Sequence, residues 1–306
     1  MPIDGSLASA LSRGPVVIDG GLSNQLAAAG HDLSDELWTA RLLRDDPAAV
    51  ADAHLAYFAA GASVVLTASY QASFAGFARH GIPAEETARL LRRSVSLART
   101  ARERYAGPDR PLWIAASVGP YGASLADGSE YRGRYGLSAT QLRDFHRPRL
   151  EALAEAGPDL FAVETIPDVE EAEVLVRIAE ELDIPVWLSY TVDGTSTRSG
   201  QPLRDAFALA TGVPQVIATG INCSAPGDVP AAVALAADVT GKPVVVYPNS
   251  GEVWDAAGRR WTGRPSFAPE DVRGWADAGA RLIGGCCRVG PAEIAELAAA
   301  VATPAT

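Results

Sequence analysis

The sequence predicts one α/β domain folded as a (β/α)8 TIM barrel, and three observations support this prediction. Eight short apolar runs recur at fairly even spacing, over 15–21, 62–69, 111–119, 159–166, 184–191, 214–223, 242–250 and 280–287. Amphipathic segments with helix-capping residues lie between them. The runs are almost continuously apolar, which is typical of parallel strands buried on both faces. Eight such βα units in 306 residues fit a closed barrel over 1–306, without a second domain.

The helices are predicted from apolar residues at three- and four-residue spacing. They cover 47–60, 85–105, 138–156, 168–182, 202–211, 228–239, 269–278 and 291–301. Capping boxes are predicted at Ser138 with Gln141 and at Asp168 with Glu171. An open doubly wound sheet is the alternative fold. It is disfavoured because the turn after the first strand, DGGLSNQL, lacks the G-x-G-x-x-G spacing of a dinucleotide site.

Composition and charge restrict the class of partner. The net charge is -11, from 26 Lys plus Arg against 37 Asp plus Glu, which leaves no basic surface for a nucleic acid. No apolar run approaches the roughly 18 residues of a membrane span, and the first residues carry no basic leader. We therefore expect a cytoplasmic protein that acts on small molecules, without a nucleic-acid or membrane partner. The single lysine, Lys242, begins the seventh strand, which is the wrong end of a barrel for a Schiff base.

Three cysteines occur at the end of the barrel where active sites form. Cys223 ends the sixth strand, and Cys286 and Cys287 end the eighth, so about 10 Å separates them at about 4.8 Å per strand. Three thiolates suit one Zn²⁺ per chain with a fourth position open. An odd number of cysteines does not form a disulfide framework, so we expect reduced thiols.

Other interpretations of these cysteines remain open. Each could fill the core, Cys286 and Cys287 could form a vicinal disulfide, or one cysteine could be a nucleophile. Gly284 and Gly285 could instead form a phosphate site, which many barrels have at this position. If the cysteines do hold zinc, a further thiol is its natural fourth ligand, and alkyl transfer to sulfur is the expected chemistry.

The motifs around these residues resemble one family. DGGLSNQL, TASYQASFAGF, FAVETIPDVEEA, GINCSAP and LIGGCCRVGP occur in the order found in the zinc-dependent homocysteine S-methyltransferases, and the resemblance runs over roughly 16–297. The middle motifs are most similar to the branch that uses S-methylmethionine and sometimes S-adenosylmethionine. The resemblance implies zinc-dependent methyl transfer from a sulfonium donor to the thiolate of L-homocysteine, a reaction of methionine biosynthesis. It also implies that Cys223, Cys286 and Cys287 bind the zinc.

The resemblance further implies the residues that contact the substrates. Those expected to contact homocysteine are Asp19, Glu164, Thr67, Ser69 and Asn222, the two carboxylates matching its ammonium group. Those expected to contact the donor are Trp38, Tyr70 and Gln71, since aromatic faces attract cations. Betaine-using relatives carry tyrosines where this chain has Gln71 and Thr165, which disfavours betaine. No separate general acid is expected, because the donor sulfur leaves as a neutral group.

The loop YGASLADGSEYRGRYG after the third strand is long and is predicted to cover the active site. Two alternative functions remain at this stage, a phosphate-binding barrel enzyme and a non-catalytic zinc- or thiol-sensing barrel. The sequence leaves open the choice between S-methylmethionine and S-adenosylmethionine, the use of selenium or other thiol acceptors, the oligomeric state, and the fourth zinc ligand before substrate binds.

Overall fold

A computed structural model describes residues 5–255 and 260–302. Its strands are β1 (Val16–Val17), β2 (Val64–Leu66), β3 (Trp113–Val118), β4 (Leu160–Ile166), β5 (Val186–Tyr190), β6 (Val192–Asp193), β7 (Ser196–Thr197), β8 (Val216–Asn222), β9 (Val244–Tyr247), β10 (Val253–Asp255), β11 (Arg260–Thr262) and β12 (Ala280–Ile283). Two antiparallel pairs, β6 with β7 and β10 with β11, lie in the connections after β5 and β9.

The remaining strands form one parallel sheet in the order β1-β12-β9-β8-β5-β4-β3-β2. The sheet closes on itself, because Ile18 forms a parallel bridge with Val64 and the N–H of Asp19 donates to the Val64 carbonyl over 3.0 Å. All eight predicted strands contribute to this ring. The prediction of a (β/α)8 barrel is therefore confirmed.

The helices are α1 (Leu7–Leu11), α2 (Leu22–Ala28), α3 (Thr39–Asp45), α4 (Pro47–Ala59), α5 (Phe74–Arg79), α6 (Ala84–Arg104), α7 (Ala139–Glu155), α8 (Val169–Leu182), α9 (Leu203–Ala208), α10 (Val229–Thr240), α11 (Asp271–Asp277) and α12 (Pro291–Ala302). Each predicted helix corresponds to one of these. The sequence did not predict α1, α2, α3 and α5, which have five to seven residues, although it did predict α9 and α11, which are equally short. None of the described helices is long and apolar enough to cross a membrane.

One of the two predicted capping boxes forms. Ser138 and Gln141 exchange both hydrogen bonds at the start of α7. At α8 the prediction is wrong, because the Asp168 side chain accepts from the N–H of Glu170 and Glu171 turns away from the cap. The Glu171 carboxylate instead accepts from the Tyr121 N–H over 2.6 Å. It therefore anchors the loop after β3 rather than the helix.

The core has an inner and an outer part, as expected when successive strand residues face opposite sides of a closed sheet. Ile18, Val64 and Trp187 belong to the inner cluster, and Leu7 and Leu11 of α1 pack into the same cluster. This packing fills the barrel at the N-terminal ends of the strands. The opposite end, where the C-terminal ends of the strands meet, is left for a cavity.

Candidate active site

A cavity of about 730 Å³, including its open mouth, lies at the C-terminal ends of the strands. Its lining includes all three cysteines, and it also includes Asp19, Thr67, Glu164, Trp38 and Tyr70, which the sequence predicts as substrate contacts. Three other predicted contacts, Ser69, Asn222 and Gln71, are buried outside this lining. The barrel thus brings together residues that are up to 268 positions apart, from Asp19 to Cys287.

The three cysteine sulfurs lie within 4.8 Å of one another. The segment that ends β9 holds them there, since β9 lies between β8 and β12 in the sheet. The N–H of Cys223 donates to the Tyr247 carbonyl over 3.2 Å, and that of Cys286 to the Pro248 carbonyl over 2.7 Å. The N–H of Cys287 donates to Asn249 Oδ1 over 3.1 Å. One short segment therefore fixes all three backbones.

Cys223 and Cys286 are joined as a disulfide, and Cys287 is the free thiol. The expectation of three reduced thiols is not met for this pair, because the two side chains converge from strands on either side of β9. The vicinal alternative is also not formed. Since a metal binds thiolates, the disulfide and a metal-bound trio are alternative states of the same residues.

The cysteines could hold a metal ion, and their chemistry fits one better than a nucleophilic role. Burial raises the pKa of the Cys287 thiol to about 11, and the neighbouring carboxylates of Glu130 and Glu164 add to this effect. A nucleophilic cysteine needs the opposite environment, one that stabilises the thiolate. A cation bound between the three sulfurs would supply that stabilisation.

Gly284 and Gly285 serve barrel closure, which removes the basis for a phosphate site. Their N–H groups donate to the carbonyls of Val246 and Asp19, over 3.0 and 3.4 Å. A Cβ at Gly284 would lie 2.5 Å from the Ile18 side chain. The glycines therefore allow close contact between β12 and β1, and their N–H groups are already used.

Glu164, near the end of β4, accepts hydrogen bonds from two hydroxyl groups. Ser117 donates to its Oε1 and Tyr247 to its Oε2, the latter over 2.8 Å. Burial raises the pKa of the carboxyl from 4.5 to about 7, against the opposing effect of these two donors. Ser117 and Tyr247 were not predicted from the sequence as site residues, although both lie at strand ends.

Asp19, just after β1, is the second buried carboxyl group of the cavity. Its Oδ2 accepts from the Leu66 N–H over 2.8 Å. Burial raises its pKa well above the ordinary value, and the negative charge of Glu164 raises it further. Two buried carboxyl groups that disfavour each other's ionisation form a site where a bound cation would be stabilised.

Thr67, Ser69 and Asn222 occupy different positions relative to the cavity. Thr67 lines it, and its Oγ1 accepts from the Ser117 N–H over 3.1 Å. Ser69 lies behind it, with its hydroxyl donating to the Ser117 carbonyl. Asn222 accepts from the Thr165 N–H over 2.6 Å and donates to Thr165 Oγ1 over 2.7 Å. It thereby holds Thr165 at a φ of +59°, a conformation unfavourable for a β-branched residue.

Trp38 and Tyr70 form one aromatic wall, in an edge-to-face pair with ring centroids 6.4 Å apart. Trp38 is held at a φ of +49°, in the left-handed region. Gln71 is buried outside the lining, and its Nε2 donates to the Glu36 carbonyl over 2.8 Å. Of the three predicted donor contacts, the aromatic pair therefore faces the cavity.

The long loop after β3 reaches the cavity through two residues that the sequence analysis did not assign. The loop contains 3-10 turns at Tyr121–Leu125 and Ser129–Tyr131. Glu130 and Tyr131 of the second turn line both the cavity and the wider mouth outside it. The unusual length of the loop was the only signal for these residues.

Comparison with known proteins identifies the family. A model of the homocysteine S-methyltransferase family matches residues 16–301. The chain belongs to this family. Homocysteine S-methyltransferase 4 of Zea mays is 46% identical over 94% of this chain and 90% of that protein. Homocysteine S-methyltransferase of Escherichia coli is 45% identical over 93% of this chain and 94% of that protein.

Solved structures of the same family share the fold over its whole length. The metallated form of the homocysteine methyltransferase MmuM from Escherichia coli matches with a TM-score of 0.88 at 43% identity, over 97% of this chain and 99% of that chain. Its oxidized form gives a TM-score of 0.85 at 44% identity, over 93% of this chain and 95% of that chain. That Escherichia coli enzyme has thus been solved in both a metallated and an oxidized form.

Proposed function

We propose that this chain transfers a methyl group from a sulfonium donor, S-methylmethionine or S-adenosylmethionine, to the sulfur of L-homocysteine, giving methionine. One observation carries the proposal: three cysteine sulfurs within 4.8 Å of one another share a cavity with two buried carboxyl groups. The names of the relatives agree with homocysteine as the methyl acceptor.

Zinc is the proposed metal, one per chain, with Cys223, Cys286 and Cys287 as its ligands. Three soft thiolate ligands just after β8 and β12 suit Zn²⁺ and leave one coordination position for a substrate. Bound there, zinc supplies positive charge that favours the thiolate form of a thiol at neutral pH.

Glu164 and Asp19 are proposed to bind the ammonium group of homocysteine. An ammonium between the two buried carboxylates would compensate the charge that burial disfavours, and it would restore ionisation of Glu164. Thr67 is proposed to contact the amino acid directly. Ser69 and Asn222 are proposed to act indirectly, by fixing Thr67 and the backbone that follows Glu164.

Trp38 and Tyr70 are proposed to hold the donor, since aromatic faces attract a sulfonium cation. Gln71 is proposed to support this wall by fixing the segment around Glu36. As the new carbon–sulfur bond forms, the donor's carbon–sulfur bond breaks and its electrons stay on the donor sulfur. The donor leaves neutral, so the residues contribute by positioning and by excluding water.

We also propose that residues 1–306 act as one barrel domain and that the protein works in the cytoplasm. The second proposal rests on the cysteines. They can bind a metal only as reduced thiols, which a reducing compartment maintains.

The test measures zinc content and methionine formation together, after purification under reducing conditions. The wild-type protein should retain one zinc and form methionine from homocysteine with either or both donors, added separately. Cys286→Ser should lose both properties, and Ser96→Ala, an exposed position on α6, should retain both. Full turnover by zinc-free Cys286→Ser protein would contradict the mechanism. Zinc binding without methyl transfer from any sulfonium compound would instead favour the sensing barrel.

A further inference from the structure

The mouth of the cavity contains two charged groups of opposite sign that the function above does not use. It is a space of about 1710 Å³, open to solvent, and it shares Trp38, Glu130 and Tyr131 with the inner cavity. Arg198 lines the same mouth, as do Cys223 and Cys287. Glu130 and Arg198 are therefore accessible to a ligand that already contacts the aromatic wall.

Glu130 presents one carboxylate oxygen without a partner. Its Oε2 is buried and has no hydrogen-bond partner in the described part of the chain, and burial raises the pKa of the group. Its backbone packs closely on Gly122, where an added Cβ would lie 2.6 Å from the Glu130 nitrogen. The loop is also tied to the barrel, since the N–H of Arg134 donates to Asp168 Oδ2 over 3.1 Å.

Arg198 is only weakly paired. It follows β7, and its N–H donates to the Thr191 carbonyl over 3.2 Å. The ion pair that it forms is with Asp193, at 4.0 Å, and the Asp193 side chain is 85% exposed. A long, exposed pair of this kind contributes little and leaves the guanidinium able to bind another anion.

A third charged residue at the mouth differs from these two. Glu252 accepts from Arg288 Nε over 3.0 Å and from the Ser250 hydroxyl over 3.0 Å. Its carboxylate is therefore already satisfied. The mouth thus offers one carboxylate with an unpartnered oxygen and one weakly paired guanidinium, which together are complementary to the two ends of a zwitterion.

We propose that Glu130 binds the α-ammonium and Arg198 the α-carboxylate of the methyl donor. This inference rests on the proposed function and specifies its second substrate as a sulfonium that carries an α-amino-acid group. In-line transfer places donor and acceptor on opposite sides of the methyl group. With the homocysteine ammonium at Glu164 and Asp19 in the inner cavity, the amino-acid end of the donor extends outward to the mouth.

This arrangement gives selectivity between sulfonium compounds. A donor without the α-amino group leaves Oε2 of Glu130 buried and unpaired, and an unpaired buried oxygen carries a desolvation cost that a paired one does not. A donor without the carboxylate loses the Arg198 contact. S-methylmethionine and S-adenosylmethionine both carry an α-ammonium and an α-carboxylate, so both can pair with Glu130 and Arg198.

The test combines variants with truncated donors in steady-state assays of the zinc-loaded enzyme. The donors are S-methylmethionine, its deamino analogue and its decarboxylated analogue. Glu130→Gln should raise KM for S-methylmethionine about tenfold, with KM for homocysteine unchanged, because a charge-assisted hydrogen bond is lost. The same variant should not alter KM for the deamino analogue. Arg198→Gln should raise KM for S-methylmethionine but not for the decarboxylated analogue.

Two controls separate this inference from the proposed function. Glu252→Gln removes a carboxylate that Arg288 already pairs. If it raised KM for S-methylmethionine as much as Glu130→Gln does, the effect would come from the overall charge of the mouth, and the inference would be overturned. Glu130→Asp should restore part of the affinity. Calorimetric titration of S-methylmethionine into wild-type and Glu130→Gln proteins gives the same comparison without turnover. Equal affinities would refute the inference, whereas absence of methionine formation by the wild type would refute the function.

Discussion

Replacing Glu164 by glutamine is expected to stabilise the metal-free, reduced protein at pH 8 while weakening its binding of homocysteine. Glutamine keeps the shape of the side chain, so the barrel packing is preserved. Its carbonyl can accept from Ser117, and its amide can donate to the Tyr247 oxygen. What the variant loses is the negative charge in a buried site, and an ammonium ligand requires that charge.

The pKa of Glu164 determines the magnitude. Burial raises the pKa from 4.5 to about 7. Between these values the folded protein holds a proton that the unfolded chain has released, so stability falls as the pH rises through this window. Because one pKa unit corresponds to about 1.4 kcal/mol, the loss between pH 5 and pH 8 is about 2–3 kcal/mol. Asp19 also loses a negative neighbour in the variant, which acts in the same direction.

Equilibrium urea unfolding at pH 5 and pH 8 measures this effect. The stability of Glu164→Gln relative to the wild type should rise by about 2–3 kcal/mol from the lower to the higher pH. Glu181→Gln is the control, because Arg143 and Arg147 hold the pKa of that exposed carboxyl near 2, below the window. If the free energy of unfolding changed equally with pH in Glu164→Gln and the wild type, burial would not raise the pKa of Glu164 and the prediction would be wrong.

Three further predictions follow from the same geometry. Tyr247→Phe should raise KM for homocysteine about tenfold, measured by steady-state kinetics, because the ring still packs on Trp187 while Glu164 loses a hydroxyl donor. Gly20→Ala should destabilise the fold by about 1–3 kcal/mol in urea unfolding, because its Cβ would lie 2.3 Å from the Val289 carbonyl. Gly14→Ala is the control and should leave the stability unchanged, because the space around its Cβ is open. Zinc uptake by air-oxidised protein, measured by metal analysis, should require a thiol reductant, and uptake without reductant would show that the Cys223 disulfide does not compete with the metal.

The barrel could be predicted because its signal extends over the whole chain. Eight buried parallel strands produce eight apolar runs, and the long helices between them produce amphipathic periodicity. A helix of five to seven residues gives a weaker signal, and of such helices in the described part of the chain α9 and α11 were predicted while α1, α2, α3 and α5 were not. The Asp168 capping box was wrong for a related reason, since a local motif does not reveal that Glu171 has a stronger role in holding Tyr121. Tertiary contacts override local patterns in such cases.

The candidate site was predictable to the extent that strand order determines it. The cysteines, Asp19 and Glu164 lie at strand ends, and a closed barrel brings all strand ends to one rim. Side-chain direction is a finer property. Ser69 and Asn222 also lie at strand ends, but their hydrogen bonds to Ser117 and Thr165 place them behind the cavity lining. No spacing rule distinguishes a hydroxyl that faces substrate from one that faces the neighbouring strand.

The cysteine trio shows why strand adjacency matters more than sequence distance. Cys223 lies 63 positions before Cys286, yet only β9 separates their strands. The segment that ends β9 binds all three cysteine backbones, and these hydrogen bonds preorganise the sulfurs within 4.8 Å of one another. That preorganisation has two consequences. It favours a metal when the thiols are reduced, and it favours a Cys223–Cys286 bond when they are oxidised, because both states require the same short separation.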